Sequence, residues 1–401
     1  MDHLASDSEP AAPASKLGRN VYALAAVSFF TDVSSEMIYP LLPVFLTTVL
    51  GVSAGFIGAI EGAAESTAAL LKLASGWWSD RVRRRKPFVV VGYTLASVVR
   101  PLVAIAQSAG QVLLIRVSDR VGKGLRNSPR DALIADSVDP KIRGRAFGFR
   151  SAADNAGALL GPLIAFGLLR IFGLSLRTVF WLSAIPGALA IIVAIVGVRE
   201  VDRRSAAASK TELGTNMGRR FWAFLAVIFL FTLGNSTDAF LLLRAKELGV
   251  PVALAPILWA LLSGVKSVSN TPGGALSDRI GRRPTLIAGW LVYALIYFLF
   301  ARASHAWHAW ALFAAYGVYF GLTEGTELAL IADVAPHTRR GAAYGWYYLA
   351  IGIGALPASI GFGILWDRFG SATAFSVGGV LALIAAAGLF VTLTPPRHRA
   401  R

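Results

Sequence analysis

The chain has 401 residues, 55% hydrophobic and only 15% charged, with no cysteine and a formal net charge of +16. So apolar a composition excludes an ordinary soluble globular domain, and the lack of cysteine excludes disulfides, thiolate metal centres and cysteine catalysis. The basic residues sit in short clusters between apolar runs, without zinc-finger spacing or an aromatic–basic RNA-binding motif, so they mark membrane topology and not a nucleic-acid partner.

Residues 1–19 are polar and lack the basic stretch and cleavage site of a signal peptide, so a disordered cytoplasmic tail is expected. Apolar segments long enough to span about 30 Å of hydrocarbon follow. They fall near 20–47, 54–78, 87–107, 111–136, 144–169 and 177–198. After a polar linker, 199–220, six more fall near 221–243, 252–276, 285–302, 308–333, 341–365 and 372–393, and a basic tail, 394–401, ends the chain. The expected fold is an all-α integral membrane protein of twelve transmembrane helices in two six-helix bundles, 20–198 and 221–393. Alternate loops hold the basic clusters, including Arg81/Arg83/Arg84/Arg85/Lys86, Lys141/Arg143/Arg145, Arg279/Arg282/Arg283 and Arg339/Arg340. The positive-inside rule makes those loops and both termini cytoplasmic, and the expected location is the inner (plasma) membrane.

Charge inside the apolar segments is the main functional signal. Asp32 and Glu36 lie one turn apart in the first segment, and Glu61 and Glu65 do the same in the second. The fourth segment, Arg116 to Asp136, carries Arg116, Asp119, Arg120, Lys123, Arg126, Arg130 and Asp131. Facing lipid, each charge would cost roughly 2.5–3.5 kcal/mol, so this helix must face water or buried partners. Arg116, Arg120, Lys123 and Asn127 share one stripe, with Asp119 and Arg126 beside it. That stripe, with Asp32 and Glu36, is the expected solute site, and its cations favour an anionic or zwitterionic solute. Asp32, Glu36 and Glu65 are the candidates for proton coupling, with a role as counter-ions to the stripe as the alternative. Arg150 and Asp154 read as a structural pair, and the second half is poorer in charge, with Asp238, Lys266, Glu324 and Glu327. Tyr39, Trp259, Tyr293, Tyr316 and Trp346 are the aromatic side chains expected to shape the pocket.

The two halves repeat each other. Gly76, Asp80 and Arg81 match Gly274, Asp278 and Arg279 at an offset of 198, while Asp136 matches Asp333, and Arg143-Gly144 matches Arg340-Gly341, at 197. Matches at nearly one offset indicate duplication, and parallel six-helix repeats are a transporter architecture with the solute between them. At these residues the chain resembles the major facilitator superfamily. The family's G-x-x-x-D-R-x-G-R-[RK] signature is complete in the second copy (Gly274, Asp278, Arg279, Gly281, Arg282, Arg283). The first copy (Gly76, Asp80, Arg81, Arg83, Arg84, Arg85) has Arg83 where glycine is usual. An aspartate at such a helix end caps a neighbouring helix or pairs with loop arginines. Gly76, Asp80, Arg81, Arg84, Gly274, Asp278, Arg279 and Arg282 are therefore the expected conformational latch. The resemblance also implies a cavity-facing arginine, best matched by Arg116, and Gly157, Gly161 and Pro162 form part of a motif of proton-driven drug exporters.

The expected function is alternating-access secondary transport of a small organic solute, proton-coupled, with export slightly favoured. A multidrug/proton antiporter for lipophilic compounds and a lipid flippase are the alternatives within the fold. An enzyme is disfavoured because H-E-x-x-H, G-x-S-x-G and a nucleotide-binding glycine loop are all missing, and a sensor because no signalling domain is attached. The expected partners are the solute and the bilayer. No cofactor, metal or obligatory protein partner is implied, and the proton gradient is the expected energy source.

Overall fold

An apolar chain in hydrocarbon must satisfy its backbone N–H and C=O groups within each segment, which selects helices. The computed structural model describes residues 17–42, 45–46, 49–50, 54–82, 84–201, 217–236, 238–251 and 254–392, with the side chains of 54–66, 239, 255 and 256 left aside. The regular elements among the described residues are all helices. The first half comprises α1 (Arg19–Glu36), α2 (Ala54–Val82), α3 (Lys86–Val99), α4 (Ala109–Ser137), α5 (Arg143–Arg170), α6 (Leu176–Leu182) and α7 (Ala184–Gly197). The second comprises α8 (Arg219–Gly234), α9 (Ala239–Glu247), α10 (Ala255–Ile280), α11 (Arg282–Arg302), α12 (Ala306–Val334), α13 (Arg340–Phe369) and α14 (Ser371–Thr392). The chain thus has the twelve-span, two-bundle fold expected, with α6/α7 and α8/α9 each forming one interrupted span. Most of both expected tails and residues 202–216 of the linker lie outside the described residues.

Among the described residues, seven helical stretches are long and apolar enough to cross a membrane by composition alone. The heavily charged α4 is not among them: Arg116, Asp119, Arg120, Arg126, Arg130 and Asp131 are all buried within the protein, away from lipid. The break between Gly234 and Ala239 falls in the middle of the seventh span. Non-helical backbone at membrane depth is tolerated where it meets protein or a cavity. Here the Tyr293 hydroxyl donates to the freed carbonyl of Gly234 at 3.0 Å.

Stacked aromatic rings fill the second half. Phe231 lies on Trp290 with centroids 4.6 Å apart, and Tyr293 on Tyr297 at 4.1 Å. Tyr293 and Tyr316 are fully buried in this core, while Trp346 meets Trp222 edge-on at 5.3 Å and Trp259 is 39% exposed.

At one end the halves meet along two helix pairs, α2 against α13 and α5 against α10. The approach is close enough to need glycine. A Cβ on Gly76 would lie 2.1 Å from the Gly341 carbonyl oxygen, and one on Gly274 would lie 2.0 Å from that of Gly144. Neither backbone oxygen can move aside without separating the helices. Gly274→Val is therefore expected to pry open this end of the molecule. A Ser79→Cys reporter, buried at the other helix pair and placed in a chain that has no cysteine of its own, measures this. Maleimide labelling should be at least tenfold faster with Gly274→Val than without it; an unchanged rate would mean that the two junctions open independently.

Candidate functional site: a charged cavity latched at one end

Helix N-termini leave backbone N–H groups without partners, and a carboxylate satisfies both the hydrogen bonds and the dipole. Asp80, near the end of α2, does this for the opposite half, accepting from the N–H of Gly341 at 3.2 Å and of Ala342 at 2.8 Å. Asp278, near the end of α10, does the same in reverse, accepting from Gly144 at 2.9 Å and Arg145 at 2.7 Å. Each half thus caps a helix of the other. Around each cap lies a matching set of ion pairs. Arg85 bridges Asp80 and Asp136, each at 3.0 Å, and Arg340 of the second half reaches Asp136 at 2.5 Å. In the mirror set Arg282 pairs with Asp278 and, at 3.3 Å, with Asp333, which Arg143 of the first half reaches at 2.5 Å.

Of the residues expected to form a latch, Gly76, Asp80, Gly274, Asp278 and Arg282 lie at this junction between the halves. Arg81, Arg84 and Arg279 are instead exposed and take no part in it. One residue beyond each aspartate the helix has turned by about 100°, which carries Arg81 and Arg279 away from the junction; Arg81 lies over the Trp77 ring at 5.5 Å. Arg85, Asp136, Arg143, Asp333 and Arg340 complete the ion pairs of the junction without having been assigned to it. The internal repeat was the available signal, since it matches Asp136 with Asp333 and Arg143 with Arg340. Gly281, the motif glycine that Arg83 replaces in the first copy, has φ +99, which disfavours other residues; Arg83 lies outside the described residues.

Between the halves lies a cavity of about 710 Å³. Of the expected solute-site residues, Lys123, Asn127 and Asp32 line it, whereas Arg116, Arg120 and Glu36 do not. Arg116 and Arg120 belong to a separate buried cluster around Asp119, which takes Arg100 at 2.6 Å, Arg116 at 3.8 Å and the Tyr39 hydroxyl. The Arg116 and Arg120 guanidinium groups lie over the Tyr39 ring at 4.0 and 5.5 Å. Glu36 lies in the field of Lys123, Arg100, Arg120 and Arg116. The single stripe thus divides along its length into a buried upper part and a cavity-facing lower part. Glu65 belongs to the stretch of α2 whose side chains are outside the described ones.

Other cavity residues were recognised as charged but not assigned to a solute site. Arg126, Arg130, Arg150, Asp154 and Lys72 line the first half's wall, and Asp238, Glu324 and Glu327 the second's. Several are held by partners: Arg130 by Asp131 at 2.9 Å, Arg150 by Asp154 at 2.5 Å, and Asp238 by Lys266 at 4.0 Å. Gly157 and Gly161, the fragment of an exporter motif, seat α5 against α1, where added Cβ atoms would lie 2.5 Å from the Phe29 oxygen and 2.7 Å from the Glu36 Cβ.

Two pseudo-symmetric helical halves thus enclose a polar cavity and are joined at one end by reciprocal charged caps. The family profile described as Major Facilitator Superfamily matches residues 24–269 and 227–401, and the chain belongs to that family, whose members are transporters and not enzymes. It is 34% identical over 376 residues to an uncharacterized MFS-type transporter of Methanocaldococcus jannaschii, covering 92% of this chain and 94% of the relative. It is 26% identical to the multi-drug resistance efflux pump PmrA of Streptococcus pneumoniae, over 77% of this chain and 79% of that one. Among solved structures, the E. coli fucose:proton symporter FucP superposes with a TM-score of 0.77 at 14% identity, covering 94% of this chain and 98% of that one.

A hydrogen bond to a charged group is worth roughly 1.5–3 kcal/mol. Asp80→Asn is therefore expected to shift the closed-to-open ratio at this end by about ten- to a hundredfold. Transport should fall by at least tenfold while expression, membrane insertion and thermal melting stay near wild type. Normal turnover by the correctly inserted variant would remove the latch role from Asp80.

Proposed function

We propose that this protein moves a small organic solute, anionic or zwitterionic, across the inner membrane by alternating access, coupled to protons. The observation that carries the reading is the reciprocal pair of caps, Asp80 on α13 and Asp278 on α5, at one end of a charged cavity. Such contacts hold two halves together reversibly, because water can take over each hydrogen bond when they part. In this proposal the latch end is cytoplasmic, as the basic loops indicate, and the closed latch corresponds to a cavity reached from outside. Asp32, at the cavity wall, and Glu36 and Glu65 near it in sequence pattern, are the proposed proton carriers. A carboxylate held among arginines in a poorly hydrated site can exchange its proton as those cations move.

The deciding experiment is solute flux in proteoliposomes with and without a pH gradient. Gradient-driven flux is expected; flux that ignores the gradient would remove the coupling. Glu36→Gln and Glu65→Gln should still bind solute, and at least one should lose gradient-driven movement by tenfold or more. If both retain it, these glutamates are counter-ions only.

A second reading, an antiporter that exports lipophilic compounds, draws on the similarity to the pneumococcal efflux pump. It predicts that lipophilic cations compete for the cavity and that strains lacking the protein become more sensitive to them. The proposed anionic or zwitterionic solute predicts neither effect.

A further inference from the structure

Resting on the transporter reading, we propose that the cavity is built for a dipolar aromatic solute: a carboxylate at one end held by Arg126, and a protonated amine at the other facing Glu324 and Glu327. Arg126 is only 5% exposed and lines the cavity, yet its Nε and Nη1 have no hydrogen-bond partner among the described residues. The Tyr93 ring lies 4.2 Å from its guanidinium. The neighbouring arginines differ, since Arg100, Arg130 and Arg150 each have a carboxylate at 2.9 Å or closer. A buried guanidinium with unused donors is costly, and an incoming carboxylate removes part of that cost with a charge-assisted hydrogen bond.

A simple anion would leave the facing wall unexplained. The lining of the first half carries five cations (Lys72, Lys123, Arg126, Arg130 and Arg150) against two carboxylates, whereas that of the second half carries three carboxylates and no cation. Asp238 is engaged by Lys266 and, at 2.9 Å, by the Tyr316 hydroxyl. Glu324 accepts from Asn270 at 2.8 Å, and Glu327 from the Tyr347 hydroxyl at 2.7 Å and Trp290 Nε1 at 3.4 Å. Glu327 is 9% exposed and has no cation within pairing distance among the described residues. The opposite-signed walls thus each hold a group with unused capacity. Phe231 and Tyr319 line the space with aromatic rings on which a solute ring can stack, while the Phe320 and Tyr348 rings already carry the Lys266 and Lys72 ammonium groups at 3.3 and 4.7 Å.

Three molecules of one shape test this: 4-(aminomethyl)benzoate with both charges, 4-methylbenzoate with only the carboxylate, and 4-methylbenzylamine with only the amine. Titration calorimetry on the purified full chain should show the dipolar compound binding at least tenfold tighter than either single-charge analogue. In Arg126→Gln its advantage over the amine should vanish, with partial recovery in Arg126→Lys. In Glu327→Gln its advantage over the benzoate should vanish. Equal or tighter binding of 4-methylbenzoate, binding of none of the three, or an advantage that survives in an Arg126→Gln protein melting like wild type would each overturn the proposal. If Arg126→Gln does not fold, the wild-type series decides alone. Flux in proteoliposomes separates the two readings: the binding order without any flux overturns transport but keeps the site, whereas flux with 4-methylbenzoate preferred keeps transport and overturns the dipolar site.

Discussion

The structure depends on a carboxylate of one half lying at the start of a helix of the other. Asp80 and Asp278 each supply two acceptors to backbone N–H groups that no intrahelical carbonyl can reach. Because the aspartate belongs to one bundle and the amides to the other, the contact ties the bundles without fusing them. It also dictates local sequence, since the carboxylate reaches the amides only if the helices nearly touch, hence Gly76 and Gly274 at the contacts. The arginines Arg85 and Arg282 then orient each carboxylate.

A second constraint is the cost of charge at membrane depth. The protein meets it by separating structural charge from cavity charge along α4. Nearer its start, Asp119 collects Arg100, Arg116 and Tyr39 in a buried cluster. Removing one partner of such a cluster typically costs about 3–5 kcal/mol, because the remaining charge is left buried. Further along, Lys123, Arg126 and Arg130 turn to the cavity, where water or solute shares the load. One helix therefore carries buried paired charge and cavity-lining charge at different depths.

The halves share their backbone plan but not their chemistry. The first half gives the cavity its cations, and the second answers with carboxylates and a core of stacked rings. The interruption between α8 and α9 places Asn235, Ser236 and Asp238 at the cavity wall, a position that regular helix would have closed with internal hydrogen bonds. Duplication supplied the symmetric latch, and divergence of the lining supplied two walls of opposite sign.

Much of this was legible in the sequence because hydrophobic length, loop charge and repeat offset are local quantities. They sufficed for the twelve spans, the two bundles and the aspartates at the junction between the halves. The repeat even held the partners, Asp136 with Asp333 and Arg143 with Arg340, but spacing alone does not reveal which charges cross between halves. Likewise, helical periodicity placed Arg116, Arg120, Lys123 and Asn127 on one stripe, yet not what faces each level of it. That was decided in three dimensions, where Arg100 arrives from α3's continuation to claim Asp119, and no carboxylate arrives for Arg126 among the described residues. The sequence by itself determined which segments cross the membrane and where charge must be hidden. Only the packing of distant helices decided which charges are paired and which line the cavity, because pairing is a matter of a few ångströms between groups far apart in the chain.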